Sequence, residues 1–405
     1  MPVVSLLDVD FYKYTMMQVA WKHYRDAQVK YEFFERDTGH GAPIGTYLNA
    51  YGLITDFVAV QSMHLSPHDI NFLDKTNLFE NDFLKALASL DLPNVNVAID
   101  ANGNLKVWTE GAWWKTMLWE TIILSTVNEK YNAIRVEQSG RTHVEAISDG
   151  ITRLYHKMQF IRDDGLFITD FGTRRRFSHE WQGLALDLMK KTLRGHLAGT
   201  SNVYWAKTLG LKPVGTYAHE MDMVYAGLYY PIKPTELELA HRYMMRDWES
   251  MYPYEQRIGL TDTWGSDFFF CNFSKEQAIN WAGVRHDSGD PYKFGHRVLD
   301  FYQLLGIDAT QKTIIFSDSL DWETIVRLYR TFEDRIRMGF GWGTDLMNDC
   351  GIMARSLVVK ATQVDGNPLV KLSDNLNKAI GSEWDIAAYM NMSQYTEQKR
   401  KELTS

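Results

Sequence analysis

Short apolar segments alternate with helix-like segments from about residue 166 onward. The clearest helical pattern consists of five apolar residues at spacings of one, three and four: Trp181, Leu184, Ala185, Leu188 and Met189. Apolar residues at such spacings form one face of an amphipathic helix. Ser178 is its expected N-cap and Gly195 its expected end.

Seven strand-like segments occur in this part of the chain, and helix-like segments separate most of them. They span residues 166–170, 196–199, 213–218, 258–262, 283–286, 313–317 and 336–340. Short apolar strands that alternate with helices are typical of a parallel sheet covered by helices. Seven in succession favour a closed or nearly closed α/β barrel.

Length and charge narrow the class of protein. A chain of 405 residues with 45% hydrophobic residues can bury a sizeable core and is expected to form two domains. The formal net charge of −8 argues against nucleic-acid binding, which needs a basic face. A few local Arg or Lys residues are still enough to bind a small anion.

Cysteine content and hydropathy predict a cytoplasmic protein. Cys271 and Cys350 are far apart in the sequence and form no CxxC motif, which favours two reduced thiols over a disulfide or zinc site. The segment "MPVVSLLDVD" lacks the basic start of a secretory signal. No apolar run approaches the roughly 18 residues of a membrane span.

Polar residues follow each predicted strand. In an α/β barrel, the loops after the carboxyl ends of the strands form one face, and that face carries the chemistry. The residues at these ends are Asp170, Arg174, Arg175, Thr200, Ser201, Asn202, Thr216, His219, Asp262, Arg285, His286, Asp287, Asp290, Ser317, Asp318, Asp321, Gly341, Gly343 and Thr344. Asp and Ser after a strand often serve only as helix N-caps, which is the interpretation we favour for Asp321.

Three of these segments contain groups suited to phosphate and sugar ligands. The turn "VRHDSGDP" brings together Arg285, Asp287 and Asp290, whose charges suit a sugar phosphate and Mg²⁺. The segments "FSDSLD" and "GFGWGTD" offer glycines, hydroxyls and backbone N–H groups for an anion. No GxxxxGK[ST] motif occurs, so a P-loop nucleotide site is not predicted.

The motifs together resemble nicotinate phosphoribosyltransferases. The resemblance rests on "LLDVDFYKYTMMQ", "FGTRRR", "AGTSN", "GTYAHE", "VRHDSGDP", "FSDSLD" and "FGWGTDL", in that order, and spans about residues 6 to 375. It implies an irregular seven-stranded α/β barrel over 136–349. It also implies a smaller α+β domain formed by residues 1–135 and completed by 350–405. The segment 356–373 is expected to form two strands around the turn "VDGNP".

The resemblance implies an activity in NAD salvage, the Preiss–Handler route. The reaction joins nicotinate to the ribose of phosphoribosyl pyrophosphate, gives nicotinate mononucleotide and pyrophosphate, and is coupled to ATP hydrolysis. His219, in "GTYAHE", is implied as the histidine that ATP phosphorylates. A neutral imidazole is nucleophilic near neutral pH, and its phosphate adds negative charge to the site.

Further roles are implied by matching positions. Tyr12 would stack on the pyridine ring in a neighbouring subunit's site, with Phe171 on the other face, so a homodimer with shared sites is expected. Thr216 and Arg285 would bind the nicotinate carboxylate. Asp287 would act at the ribose and bind Mg²⁺. The remaining substrate-binding residues are expected to be Arg174 (a phosphate contact), Thr200, Ser201, Asp290, Ser317, Asp318, Gly341, Gly343 and Thr344.

Three alternatives remain at this point. Nicotinamide phosphoribosyltransferase shares the architecture and the histidine. A barrel glycoside hydrolase could draw a carboxylate pair from Asp262, Asp287 and Asp290. The third alternative is a non-catalytic metabolite-binding regulator. Residues 225–257 have no assigned role beyond covering the barrel, and Trp113, Trp114 and Trp119 are expected in a core or subunit contact.

Overall fold

We analysed a computed structural model, which describes residues 2–36, 41–230 and 233–395. The chain forms two compact units. Unit 1 comprises Met1–Gly215, Ser319–Val326 and Gly341–Lys360, and unit 2 comprises Thr216–Asp318, Arg327–Phe340 and Ala361–Ser405. The domain boundaries implied by the resemblance stay predictions, and residues 396–405 of its C-terminal segment lie outside the described residues.

The helices, in chain order, are α1 (Phe11–His23), α2 (Ala50–Gln61), α3 (Pro67–Asp74), α4 (Asn81–Ala88), α5 (Trp113–Thr116), α6 (Trp119–Gln138), α7 (His143–Asp164), α8 (His179–Thr192), α9 (Val203–Leu209), α10 (Glu220–Tyr229), α11 (Pro234–Met251), α12 (Ser266–Asn272), α13 (Lys275–Asn280), α14 (Pro291–Leu305), α15 (Trp322–Phe332), α16 (Thr344–Met347) and α17 (Glu383–Met392). The strands are β1 (Gln28–Glu35), β2 (Val95–Ile99), β3 (Leu105–Ala112), β4 (Ile168–Asp170), β5 (Leu197–Thr200), β6 (Ile258–Leu260), β7 (Gly283–His286), β8 (Thr313–Phe316), β9 (Arg337–Trp342), β10 (Leu357–Val364) and β11 (Asn367–Pro368).

The smaller sheet has the strand order β11-β10-β1-β3-β2. β1 and β3 are antiparallel, with Tyr31 opposite Thr109, and β2 also pairs antiparallel with β3. β10 and β11 form the hairpin expected around "VDGNP", with Val364 opposite Asn367. The prediction of two C-terminal strands is therefore confirmed.

The larger sheet has six strands in the order β5-β4-β9-β8-β7-β6. β4 and β5 are parallel to each other in unit 1. β6, β7, β8 and β9 are parallel to one another, and Gly283 pairs with Thr313 and Thr313 with Arg337. The prediction of helices alternating with parallel strands is confirmed, but the seven-stranded barrel is not.

The missing seventh strand is the segment predicted at 213–218. Only an isolated bridge from Thr200 to Pro213 remains there, with a hydrogen bond from the Val214 N–H to the Thr200 carbonyl. Pro213 has no N–H to donate to a sheet. Gly215 packs so closely on α1 that a Cβ there would lie 2.8 Å from the Tyr12 nitrogen. Residues 213–218 therefore contact the end of β5 but do not form a seventh strand of the sheet.

Helix caps and core residues agree with several sequence predictions. Ser178 Oγ accepts a hydrogen bond from the Trp181 N–H at 3.1 Å, so Ser178 caps α8, although that helix ends before Gly195. Asp321 accepts from the Thr324 N–H at 2.7 Å, which is the capping role that we favoured. The tryptophans at 113, 114 and 119 are all buried, as expected for a core.

The segment 225–257 contributes residues to the hydrophobic core as well as covering the surface. α11 has a buried face, on which Leu237 and Ala240 pack into a cluster with Trp264, Val370 and Leu372 in unit 2. The C-terminal segment is therefore anchored to the helices that follow β5 along the chain. Lys371 and Ser373, which follow β10, contact Asp262.

Candidate active site

His219 occupies the N-cap position of α10 and is buried, with 4% of its surface exposed. Its Nε2 lies 2.9 Å from Asp287 Oδ2, and its Nδ1 lies 3.1 Å from Thr263 Oγ1. Asp262 Oδ1 is 3.7 Å from Nε2. His219, Asp262 and Asp287 therefore form one cluster, which lies wholly within unit 2.

Burial and neighbouring charges set the protonation of this cluster. Burial lowers the pKa of His219 and the Lys371 charge acts in the same direction, whereas Asp262 and Asp287 oppose them. Burial disfavours the Asp287 carboxylate, but the His219 hydrogen bond and the Arg285 charge outweigh it, so the pKa of Asp287 lies well below its usual value. A neutral His219 therefore carries its hydrogen on Nε2, facing an ionised Asp287, and its lone pair is on Nδ1.

The C-terminal segment supplies residues that the sequence motifs did not indicate. Asp262 Oδ2 accepts hydrogen bonds from Ser288 at 2.6 Å and from Ser373 at 3.2 Å, and it lies 3.8 Å from the Lys371 ammonium. Burial raises the pKa of Asp262, but the charges of His219 and Lys371 bring it below the usual value. Lys371 and Ser373 lie 80 and 82 residues beyond the end of the "VRHDSGDP" motif. No spacing signal in the sequence pointed to them.

The cluster has the donor atoms of a cation site. One atom each from His219, Asp262 and Asp287 lies within 4.8 Å of the others. Asp262 Oδ1 is buried and has no hydrogen-bond partner among the residues that the structure describes. Carboxylate oxygens are the ligands that Mg²⁺ prefers, so Asp262 and Asp287 fit this ion better than the imidazole does.

The other predicted residues of unit 2 have different surroundings. Ser317 Oγ lies 2.9 Å from both Asp287 Oδ1 and the His286 carbonyl, so it joins the cluster. The Arg285 Nε is buried without a hydrogen-bond partner in the described part of the chain. Asp318 pairs with Lys378 at 2.6 Å. Asp290 is exposed and caps α14 through the N–H groups of residues 292 and 293. Thr216 is half-buried.

The predicted aromatic residues lie in unit 1. The Arg174 guanidinium is 5.6 Å from the centre of the buried Tyr12 ring. A Cβ on Gly341 would lie 2.3 Å from the ring of Phe171, so only glycine fits beside this ring. Gly343 is close to the same segment, with a Cβ position 3.5 Å from the Phe171 carbonyl. Thr344, the first residue of α16, is half-buried.

The hydroxyls predicted after β5 are committed to buried carboxylates of unit 1. Thr200 donates to Asp170 Oδ2 at 2.7 Å, and Ser201 donates to Asp10 Oδ1 at 2.7 Å. Asp10 belongs to the "DVDFYK" motif that also contains Tyr12. Ser201 therefore ties the start of α1 to the end of β5, and Thr200 ties the end of β5 to the end of β4.

Two of the three arginines of "RRR" differ in their surroundings. The Arg174 side chain is 34% exposed and pairs with Asp10 at 3.3 Å and Glu120 at 3.2 Å. Arg176 is fully buried and binds both carboxylate oxygens of Asp8, at 2.5 and 2.8 Å. Arg176 thus supports the fold, and Arg174 is the more accessible of these two to a phosphate.

The structure also bears on the expectations about membrane spans and cysteine pairing. Within the described ranges, no helix is both long and apolar enough to cross a bilayer. Cys271 is exposed, Cys350 is buried, and both are free thiols. The expectation of unpaired cysteines is confirmed, while the cytoplasmic location stays a prediction.

Comparisons with known proteins agree with these features. Residues 7–128 match the nicotinate phosphoribosyltransferase N-terminal domain, and residues 166–402 match the nicotinate phosphoribosyltransferase family. Enzymes with the name nicotinate phosphoribosyltransferase from Ralstonia nicotianae and Cupriavidus necator are each 33% identical over 398 residues, which cover 96% of this chain and 98% and 97% of theirs.

Solved structures give the same result. A nicotinate phosphoribosyltransferase from Porphyromonas gingivalis superposes with a TM-score of 0.88 at 29% identity, and covers 97% of this chain and 100% of its own. One from Vibrio cholerae gives a TM-score of 0.87 at 29% identity, with coverage of 100% and 97%. With both domain models and relatives above 30% identity matching over nearly its whole length, the chain belongs to the nicotinate phosphoribosyltransferase family.

Proposed function

We propose that this chain transfers the phosphoribosyl group of phosphoribosyl pyrophosphate to nicotinate, and that ATP drives the transfer through His219. The products are nicotinate mononucleotide and pyrophosphate. The observation that carries the proposal is the buried His219, whose Nε2 faces Asp287 and whose Nδ1 faces a hydroxyl. Membership of the family supports the choice of substrates.

His219 has the features of a phosphoryl acceptor. Its pKa is lowered by burial, so the neutral imidazole is present near neutral pH, and Asp287 keeps the ring hydrogen on Nε2. The Nδ1 lone pair then forms the bond to the γ-phosphorus of ATP. The bond from that phosphorus to the bridging oxygen breaks, and ADP leaves with the electron pair. The imidazolium formed keeps its Nε2 hydrogen on Asp287, which stabilises the new positive charge.

Mg²⁺ fits the cluster around Asp287. Asp262 and Asp287 would hold the ion, and the unpartnered Asp262 Oδ1 supports this assignment. When bound, Mg²⁺ would supply positive charge to the oxygens of a pyrophosphate or triphosphate. Ser317, which contacts Asp287, helps to orient that carboxylate.

Substrate selection is assigned to Arg285 and Thr216. The Arg285 Nε is buried without a partner among the described residues, so a carboxylate would supply a charge-assisted hydrogen bond. A nicotinamide amide would satisfy this guanidinium less well. We therefore favour nicotinate over nicotinamide. The glycoside hydrolase alternative loses support because the chain belongs to the nicotinate phosphoribosyltransferase family.

The predicted binding residues of unit 1 are proposed to have the roles that the resemblance implies. Tyr12 and Phe171 would stack on the pyridine ring, with Tyr12 acting in a second copy of the chain, so the active form would be a homodimer. Arg174 would bind a phosphate, because part of its guanidinium is exposed. Gly341, Gly343 and Thr344 would contact the 5′-phosphate through backbone N–H groups. Thr200, Ser201, Asp290 and Asp318 are proposed as supporting contacts.

An activity assay tests the reaction and the choice of ring. Purified protein is given phosphoribosyl pyrophosphate, Mg²⁺ and either nicotinate or nicotinamide, with and without ATP. We expect nicotinate mononucleotide to form, ATP to accelerate its formation, and nicotinamide to be largely refused. Equal turnover of the two rings would contradict the role of Arg285.

Labelling with γ-³²P-ATP tests the role of His219. The protein should acquire an acid-labile, base-stable phosphate, because protonation of a phosphoramidate nitrogen promotes its hydrolysis. His219→Asn should abolish both the label and the ATP stimulation while slow ATP-independent turnover persists. Ser317→Ala serves as the matched control for an alternative acceptor, since a serine phosphate has the opposite stability. Full ATP stimulation in His219→Asn would assign energy coupling to another residue.

A further inference from the structure

Lys157, on α7, is a buried lysine whose ammonium group binds one short segment of unit 1. Its side chain is 8% exposed, and Nζ lies 3.0 Å from Asp345 Oδ2 and 2.8 Å from Asp349 Oδ2. Nζ also donates a hydrogen bond to the Asp345 carbonyl. An ammonium group has three hydrogens to donate, so these three oxygens account for all of them. Lys157 therefore directs its whole donor capacity to residues 345–349.

The Asp345 carboxylate closes the four-residue turn 342–345, which we call the phosphate turn. Its Oδ2 accepts a hydrogen bond from the Trp342 indole N–H at 3.1 Å and also pairs with Lys157. Trp342 is buried at the end of β9, and its carbonyl accepts the Phe171 N–H at 2.9 Å. The carboxylate thus links the last residue of the turn to a first residue that the sheet already fixes.

The phosphate turn contains two of the residues assigned above to the 5′-phosphate. The N–H groups of Gly343 and Thr344 have no hydrogen-bond acceptor among the residues that the structure describes, and both residues are half-buried. Successive backbone N–H groups bind a phosphate only if the turn keeps one conformation, and donors that are fixed beforehand lose little freedom on binding. Whatever holds the turn therefore contributes to phosphate affinity.

We propose that Lys157 is a positioning residue for the transfer reaction. Together with Asp345 and Trp342, it holds the phosphate turn in the conformation that presents its N–H groups to the 5′-phosphate. Lys157 acts through the turn and does not contact the substrate itself. The proposal rests on the phosphate role of the turn proposed above, and it assigns a role to α7, in which no sequence motif indicated one.

Binding of ribose 5-phosphate, measured by isothermal titration calorimetry, tests this role. In Lys157→Met the turn loses the ammonium group, so the affinity for ribose 5-phosphate should fall by about five- to tenfold, the range of one hydrogen bond. The variant should fold, because Asp349 keeps its pair with Arg153 at 2.7 Å and Asp345 is partly exposed to water. An unchanged affinity in Lys157→Met would overturn the proposal.

A second substitution separates positioning from a simple charge effect. Asp345→Ala removes a negative charge next to the phosphate turn. A charge effect alone would strengthen phosphate binding in this variant, whereas an opened turn should weaken it, again by about five- to tenfold. Tighter binding of ribose 5-phosphate to Asp345→Ala would overturn the proposal.

Arg153→Met is the matched control for the loss of a positive charge. Arg153 lies one helical turn before Lys157 on α7, and it pairs with Asp349, which is outside the phosphate turn. We expect this variant to bind ribose 5-phosphate with wild-type affinity. A loss as large as that in Lys157→Met would show that the turn is not involved and would overturn the proposal. Thermal unfolding of each variant checks that the fold is retained.

The double variant Lys157→Met/Asp345→Ala tests whether the two residues act as one unit. If both act by closing the same turn, the double variant should bind ribose 5-phosphate no more weakly than the weaker single variant. Losses that multiply would overturn this mechanism. In the transfer reaction, KM for phosphoribosyl pyrophosphate should rise in the single variants while KM for nicotinate changes little, because Phe171 is held by the Trp342 carbonyl in β9.

Hydrogen–deuterium exchange without any ligand tests the clamp independently of the proposed function. The N–H groups of residues 346–348 donate to the carbonyls of Gly343 and Thr344, so their exchange reports whether the phosphate turn is closed. Exchange of these amides should be faster in Lys157→Met and Asp345→Ala than in wild type and Arg153→Met. Equal exchange in all four proteins would overturn the proposal. Failure of wild type to bind ribose 5-phosphate would instead contradict the phosphate role in the proposed function.

Discussion

Removal of the buried Arg176 guanidinium should strongly destabilise unit 1. In Arg176→Met the apolar stem is kept, but Asp8 loses both of its guanidinium hydrogen bonds, at 2.5 and 2.8 Å. The Pro2 carbonyl and Gln182 Oε1 lose donors as well, at 2.8 and 3.1 Å. Since Asp8 and Arg176 are both fully buried, water cannot replace these bonds.

The magnitude follows from the charge that remains. Removing one partner of a buried ion pair costs about 3–5 kcal/mol, because the other charge stays buried without compensation. Asp8 retains contacts with His179 Nδ1 at 2.9 Å and Asn202 Nδ2 at 2.8 Å, which favours the lower end of that range. Arg174→Met is the matched control. The Arg174 side chain is 34% exposed, and its buried partners keep other contacts, Glu120 with Lys13 at 2.6 Å and Asp10 with Ser201 at 2.7 Å, so its loss should cost less than that of Arg176.

Urea unfolding followed by circular dichroism measures these differences, and pH provides a second test. Burial raises the pKa of Asp8, but Arg176 outweighs burial and holds this pKa well below its usual value. The ion pair therefore stabilises the wild type above the unfolded pKa of about 4, and this stabilisation is lost as the pH falls further. The difference between wild type and Arg176→Met should shrink below about pH 4.

Two results would refute this reasoning. The first is a cost for Arg176→Met no larger than that for Arg174→Met. The second is a difference in the free energy of unfolding that stays constant as the pH falls. A further variant, Asp8→Asn/Arg176→Met, removes both charges and should recover part of the lost stability, because no unpaired charge remains.

Three further changes test other parts of the molecule. Burial raises the pKa of Asp170 to about 6, so wild type should lose stability as the pH rises from about 4 to 6. Asp170→Asn lacks this carboxyl and should lose less stability over that interval. Gly283→Ala places a Cβ 1.9 Å from a carbonyl oxygen of β8 and should lower the free energy of unfolding by about 3 kcal/mol. Gly52→Ala is the control, since Gly52 has space around it, and it should be neutral or stabilising. Mixing Tyr12→Ala with His219→Asn should restore part of the ATP-stimulated activity through hybrid sites if subunits share them, and unchanged activity after subunit exchange would count against sharing.

The sequence by itself determined the kind of fold and the location of the chemistry. Alternation of short apolar strands and helices predicted a parallel sheet, because strands buried on both faces contain few polar residues. Local chemistry also decided the caps at Ser178 and Asp321, since such a cap needs only a side-chain oxygen and N–H groups two or three residues further along the chain. The order of the motifs identified His219 and Asp287, which the structure brings to 2.9 Å.

Only the tertiary structure decided which neighbours these residues have. The segment 213–218 looked like a strand, yet the close contact of Gly215 with α1 and the missing N–H of Pro213 keep it out of the sheet. The sequence grouped Asp290 with Arg285 and Asp287, and the structure shows that its carboxylate also caps a helix. Arg174 and Arg176 are two residues apart, but one is partly exposed and the other is fully buried. Lys371 and Ser373 reach the cluster from a distant segment. The sequence did not indicate them, because contacts between segments far apart in the chain leave no spacing pattern.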